Sequence, residues 1–191
     1  MEPAELIKQL EQFDNKHGYR LEYEEVESRL EPIVKEIASK GEGCINQLHE
    51  LITFEETWSC SFALKALKEI KSESSIPQLI EFLKRNEEGD HWESCEDAMF
   101  ALHAIGKPAV KPLLSELTSL FAHKAYLIYL VGALTEIKDD EVYRFMADTC
   151  EDFLQHPAKY HDWFDIKSFC YAFDKQENKD EIGRASCRER V

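Results

Sequence analysis

Lysine and arginine are scarce for so charged a chain: 23 stand against 38 aspartates and glutamates, a formal net charge of -15. Taking away the three arginines and two glutamates from position 181 onward leaves 20 against 36, or -16. Binding to a phosphate backbone depends on cationic side chains neutralising it, so a nucleic acid is not expected as a direct ligand. Long hydrophobic runs are missing too. No stretch approaches the roughly 18 apolar residues of a membrane span, and "MEPAELIKQL" lacks the basic-then-apolar order of a signal peptide. No membrane partner is expected, and the expected location is the cytoplasm.

Closely spaced cysteine pairs are absent. The six cysteines are scattered singly, without a CxxC, which fits neither a disulfide framework nor a zinc site built from clustered ligands. They read as reduced, mostly buried thiols. There is no glycine-rich phosphate loop and no strand-to-helix elbow around a serine nucleophile. No catalytic residue, cofactor or resident metal is therefore assigned. What remains, 43% apolar and 32% charged residues in a chain of 191, describes a globular domain.

The apolar residues are arranged repetitively. "SFALKALKEIKSESSIPQLIEFL" from Ser61 aligns with "EDAMFALHAIGKPAVKPLLSEL" from Glu96 and "IYLVGALTEIKDDEVYRFMADT" from Ile128. Ala63, Leu67 and Ile70 correspond to Ala98, Leu102 and Ile105, then to Leu130, Leu134 and Ile137. In the second half of each unit, Ile76, Leu79 and Ile80 correspond to Val110, Leu113 and Leu114, then to Val142, Phe145 and Met146. The offsets are 34 or 35, then 32. An earlier copy survives in "GCINQLHELI", where Ile45, Leu48 and Ile52 take the places of Val110, Leu113 and Leu117. Its first helix falls within Leu21 to Ser39, where Pro32 either kinks it or starts a new segment. Gly106 suits a left-handed helix exit, and Pro77 and Pro112 are expected in the first turns of their helices.

One helical pair has an apolar stripe on each long side and cannot bury both alone; stacking against the next pair hides them. This period predicts an all-α solenoid. Residues 1–20 are expected to form a capping helix, with Leu6, Ile7, Leu10 and Phe13 on its inner face, and 21–180 about four repeats plus a half repeat. "WFDIKSFCYAFDKQENKD" begins that last unit, but "EIGRASCRERV" does not supply its second helix. Reverse-translated, residues 181–191 resemble the common short-read sequencing adapter. The expectation is a non-native tail on a C-terminally truncated fragment.

"ALHAIGKPAVKPLL" and "ALKEIKSESSIPQLI" resemble the short bacterial HEAT-like repeat, also called the phycobilisome-lyase-type repeat. The resemblance implies a right-handed α-solenoid, and it implies little about function, since such repeats serve many roles. The di-iron hydroxylases of this kind repeat His-Glu pairs at matching positions. Here His49-Glu50 stands alone, the aligned pairs being Ile80-Glu81, Leu114-Ser115 and Met146-Ala147, so it reads as a surface His beside a surface Glu. The repeat-type DNA glycosylases need a basic concave face, opposite to this chain's charge. Bilin lyases lend the repeat its name, but no positional signature marks one here.

The densest polar segment is "RNEEGDHWESCEDA", with Glu87, Glu88, Asp90 and Glu93 around His91 and Trp92. It joins one repeat to the next, as do "TFEETW", with Glu55, Glu56 and Trp58, and "PAKYHDWFD", with His161 and Trp163. By solenoid geometry all three reach one edge. Two readings fit. Acids favour helix N-termini and each Trp packs between repeats, or the edge binds a basic protein, the aromatics supplying contact area and the acids steering encounter. His91, His123, His156 and His161 could also join these acids at a metal. Cys60 and Cys95, at aligned positions, read as neighbouring buried thiols without an activating base.

The expected function is thus a protein-protein interaction module, whether adaptor, assembly factor or inhibitor, bound to a basic protein through Glu55, Glu56, Trp58, Glu87, Glu88, Asp90, His91, Trp92, Glu93, His161 and Trp163. The alternative is a lyase-like or metal-dependent HEAT-repeat enzyme.

Overall fold

The apolar stripes fold as amphipathic helices stacked in two layers. The computed structural model describes residues 2–17, 21–53, 57–85, 92–117, 126–157 and 160. Its helices are α1 (Pro3–His17), α2 (Tyr23–Lys40), α3 (Ile45–Leu51), α4 (Trp58–Ile70), α5 (Ile76–Arg85), α6 (Trp92–Ile105), α7 (Lys107–Glu116), α8 (Leu127–Thr135) and α9 (Asp140–Gln155). No strand occurs among the described residues, and no helix there is long and apolar enough to cross a membrane. The protein is an all-α solenoid of HEAT-like type.

Helices α2, α4, α6 and α8 lie side by side as one layer; α3, α5, α7 and α9 back them, with α5 beside α7 and α7 beside α9. The aligned first-helix positions face the core: Ala63, Leu67, Ala98, Leu102, Leu130 and Leu134 are fully buried and Ile137 nearly so, while Ile70 and Ile105 pack against it partly buried. Each buried leucine of this kind contributes about 1.5–3 kcal/mol relative to exposure. Helix α1 lays Leu6, Ile7, Leu10 and Phe13 against the start of the stack, touching α2, α3 and α4.

Pro32 neither breaks nor begins a helix, because α2 runs without interruption from Tyr23 to Lys40. The cost is one hydrogen bond, from the missing Pro32 N–H to the Ser28 carbonyl. Both residues are on the exposed side of the helix, where that loss is cheapest. Pro77 is the second residue of α5, as expected. Pro112 is not in a first turn: α7 already begins at Lys107, Pro108 occupies its first turn, and Pro112 lies inside the helix. The sequence alignment set α7 on the start of α5, whereas Gly106 lets the chain turn directly into helix five residues before Pro112.

The layers hold their register through contacts between like ends. Ser61, in the first turn of α4, donates to Asp97 near the start of α6. Lys84 and Glu116 join the C-terminal ends of α5 and α7 at 3.0 Å. Lys107 and Asp139 join the N-terminal ends of α7 and α9 at 4.0 Å. Helices α4 and α6 are therefore parallel, as are α5 with α7 and α7 with α9.

Candidate functional site

Because α4 and α6 are parallel neighbours, both begin at one edge. At α4 the local chemistry is unusually complete. Thr57 caps the helix by accepting the Cys60 N–H at 3.1 Å. Asp14, from the far end of α1, accepts the Trp58 and Ser59 N–H groups with its two oxygens, each at 2.9 Å. A carboxylate at a helix N-terminus satisfies donors that have no partner within the helix and meets the positive end of its dipole.

Trp58 is partly buried and packs on Tyr23 of α2, the ring centroids 6.2 Å apart and tilted by 51°. Tyr23 itself is 44% exposed. Its hydroxyl donates to Glu27 at 3.2 Å and accepts from Lys65 at 2.6 Å, while the Lys65 ammonium lies 4.9 Å from the centre of its ring. Farther along α4, Lys68 lies 5.4 Å from the Phe100 ring of α6. Such cation–aromatic contacts contribute about 0.5–1 kcal/mol each at exposed sites. The outer face of the first-helix layer thus carries Tyr23 and Phe100 with Lys65 and Lys68 beside them.

Glu93 is exposed in the first turn of α6, which opens at Trp92. Glu96 is exposed beside it, and Asp97 turns inward to Ser61. Burial holds the Asp97 carboxyl above its usual range, partly offset by the Ser61 hydroxyl and by Lys65 and Lys68. The other expected site residues, Glu55, Glu56, Glu87, Glu88, Asp90, His91, His161 and Trp163, lie outside the described residues, as do His123 and the tail from 181 to 191; of Trp92 only the backbone is described.

Cys60 and Cys95 are both fully buried. The Cys60 thiol donates to the Thr53 carbonyl at 3.4 Å, and burial pushes its pKa up to about 12. A thiol held protonated in this way is a packing group, since the thiolate is the nucleophile. His49 differs from the surface residue expected: it is partly buried, and its Nε2 pairs with the hydroxyl of fully buried Ser75 at 3.0 Å. Burial lowers its pKa, while Glu50 is exposed. His156 is exposed and pairs with Asp152 at 3.0 Å; the Tyr160 hydroxyl donates to the other Asp152 oxygen, also at 3.0 Å. Among the described residues no group of three or more His, Cys, Asp or Glu could hold a metal ion.

Sequence reasoning missed Asp14 and the ion pairs between second helices. Asp14 precedes the repeats and acts 44 residues away, so no spacing announces it. Lys84 and Glu116 were legible only as residues on polar helix faces, and which faces meet depends on the stacking.

Residues 61–85 match the repeat family described as PBS lyase HEAT-like repeat. The match runs from the first turn of α4 to the last residue of α5, which makes that unit a HEAT-like repeat and the chain a HEAT-like repeat protein. No curated protein and no solved structure matches the chain significantly.

Proposed function

With the α4–α5 unit a HEAT-like repeat, we propose that the chain is a protein-interaction module, an adaptor, assembly factor or inhibitor, whose partner is a basic protein. Repeats of this kind commonly mediate protein interactions and suggest a non-catalytic role. The observation that carries the reading is the parallel pairing of α4 and α6, whose N-terminal ends meet through Ser61 and Asp97. In this reading the segments that precede α4 and α6, bearing Glu55, Glu56, Glu87, Glu88, Asp90 and His91, share the edge where those helices begin with Trp58, Trp92 and Glu93. His161 and Trp163 are proposed to belong to the same binding surface. The net charge of -15 favours encounter with a cation-rich surface and opposes nucleic acid. No cofactor or membrane takes part, and the cytoplasm is the setting proposed.

Immobilised protein incubated with extract of the source cell tests this. A basic protein is expected to be retained at about 0.05 M salt and released near 0.5 M, where the Debye length falls to a few ångströms. The triple variant Glu87→Lys, Glu88→Lys, Asp90→Lys is expected to lose it. Retention of the same protein by that variant, or elution indifferent to salt, sinks the edge as the binding surface. Stoichiometric metal in the purified protein would turn the reading toward a metal-dependent enzyme.

A further inference from the structure

On the second-helix layer, α5 and α7 leave an open groove of about 410 Å³ between them. Its apolar part is Ile76, Pro77 and Ile80 from α5 with Pro112 from α7. The isoleucines are nearly buried, at 5% and 6% exposure, and form its bottom. Three carboxylates line the same groove: Glu73 and Glu81 on the α5 side, Glu116 on the α7 side.

The cation among its lining residues is already engaged: Lys84 reaches from α5 to Glu116, 3.0 Å away. Arg85, which does not line the groove, meets Glu81 at 3.3 Å. The site is therefore unsuited to an anion. A wholly apolar ligand fits no better, since it would strip solvent from the carboxylates without replacing their partners. Lysine and arginine side chains match both halves, with an aliphatic stem for the isoleucines and prolines and a cationic head for the acids. Lys84 itself shows the arrangement on a small scale.

We propose that this groove receives a lysine or arginine side chain of a basic partner protein, its stem over Ile76 and Ile80 and its head among Glu73, Glu81 and Glu116. The proposal rests on the reading that the partner is basic, and it places a second contact on the layer opposite the outer face of α4 and α6. Lys84 then acts as an internal competitor that the incoming side chain displaces from Glu116.

The test uses the full chain labelled at isoleucine δ-methyls, titrated with a capped peptide of alternating alanine and arginine. The same peptide with glutamate for arginine is the control. Saturable shifts at Ile76 and Ile80 are expected with the arginine peptide alone. Glu73→Lys with Glu81→Lys, both at exposed positions, is expected to weaken binding about tenfold, equivalent to about 1.4 kcal/mol. Lys84→Met, which removes the competitor, is expected to strengthen it about threefold, in the range of a surface ion pair. Circular dichroism establishes that each variant is folded.

Absence of saturable shifts at these isoleucines, or an equal response to the glutamate peptide, overturns the proposal. The triple variant at Glu87, Glu88 and Asp90 separates the two surfaces. Peptide binding lost there but kept in the Glu73, Glu81 variant leaves the edge standing and removes the groove. The reverse pattern supports the groove and removes the edge.

Discussion

Two successive helix pairs, α4–α5 and α6–α7, bury the same register of residues and yet turn their corners by different routes. In both, the residue after the last isoleucine has positive φ: Lys71 at 57° and Gly106 at 80°. Each sends its N–H back to the leucine four residues earlier, Lys71 to Leu67 at 2.9 Å and Gly106 to Leu102 at 3.3 Å. Beyond that point they diverge. After Lys71, Ser72 accepts the Ser74 N–H and a 3-10 turn at Glu73–Ser75 leads into α5. After Gly106 the chain enters α7 at once. The stacking thus requires a common apolar stripe and a common reversal of direction, and leaves the length of the corner free.

If the stripe is what the two units share, its equivalent members should matter equally. Leu67→Ala and Leu102→Ala remove side chains that are both fully buried, and each is expected to cost about 2–5 kcal/mol. Urea denaturation of the two variants measures it. A difference larger than about 2 kcal/mol between them would break the equivalence and show that one interface of the stack carries the other.

The corners should separate the units again, by a smaller amount. Lys71 sits at ψ 37°, in the left-handed region that an L-residue can adopt at about 1–2 kcal/mol. Gly106 is at ψ -138°, where glycine has few substitutes. A Cβ there would meet nothing closer than the His103 carbonyl at 4.0 Å, so the cost is one of backbone alone. Gly106→Ala is expected to destabilise by about 1–3 kcal/mol, and Lys71→Gly to stabilise by up to about 1 kcal/mol. Thermal melts of both variants check the signs; a stabilising Gly106→Ala would mean that the Gly106 corner does not depend on a conformation reserved for glycine, and that this difference between the corners is absent.

The same contrast explains what could be read in advance. Leu67, Leu102 and Leu134 announced the core because a helix between two neighbours buries a periodic stripe, and the period survives in the sequence. Gly106 announced its corner because few other residues tolerate that conformation. Lys71 gave no such sign, since lysine carries no preference for positive φ, and the displaced start of α7 moved Pro112 from a first turn to a helix interior. At the candidate edge, the parallel pairing of α4 and α6 was implicit in the repeat. The hydrogen bond from Ser61 to Asp97 and the Asp14 cap on α4 were not, because each joins residues whose proximity exists only after stacking.

The smallest expected effect concerns the contact that joins the two units. Asp97 is held above its usual pKa by burial, with Ser61, Lys65 and Lys68 opposing that shift and Glu96 adding to it. A carboxyl whose folded pKa exceeds the unfolded value binds protons more readily when folded, so its ionisation weakens the fold. The penalty is absent below the unfolded value near 3.8, grows as pH rises from there, and is complete above the folded pKa. Asp97→Asn keeps an oxygen to accept from Ser61 while removing the charge. The variant is expected to be slightly more stable than the parent at neutral pH, with the advantage vanishing as pH falls through the carboxylate range. Paired urea curves at pH 4 and pH 7 measure it. A constant difference at both values would assign Asp97 a role through shape alone, and a parent stabilised at neutral pH would mean that Lys65 and Lys68 outweigh burial at the seam between α4 and α6.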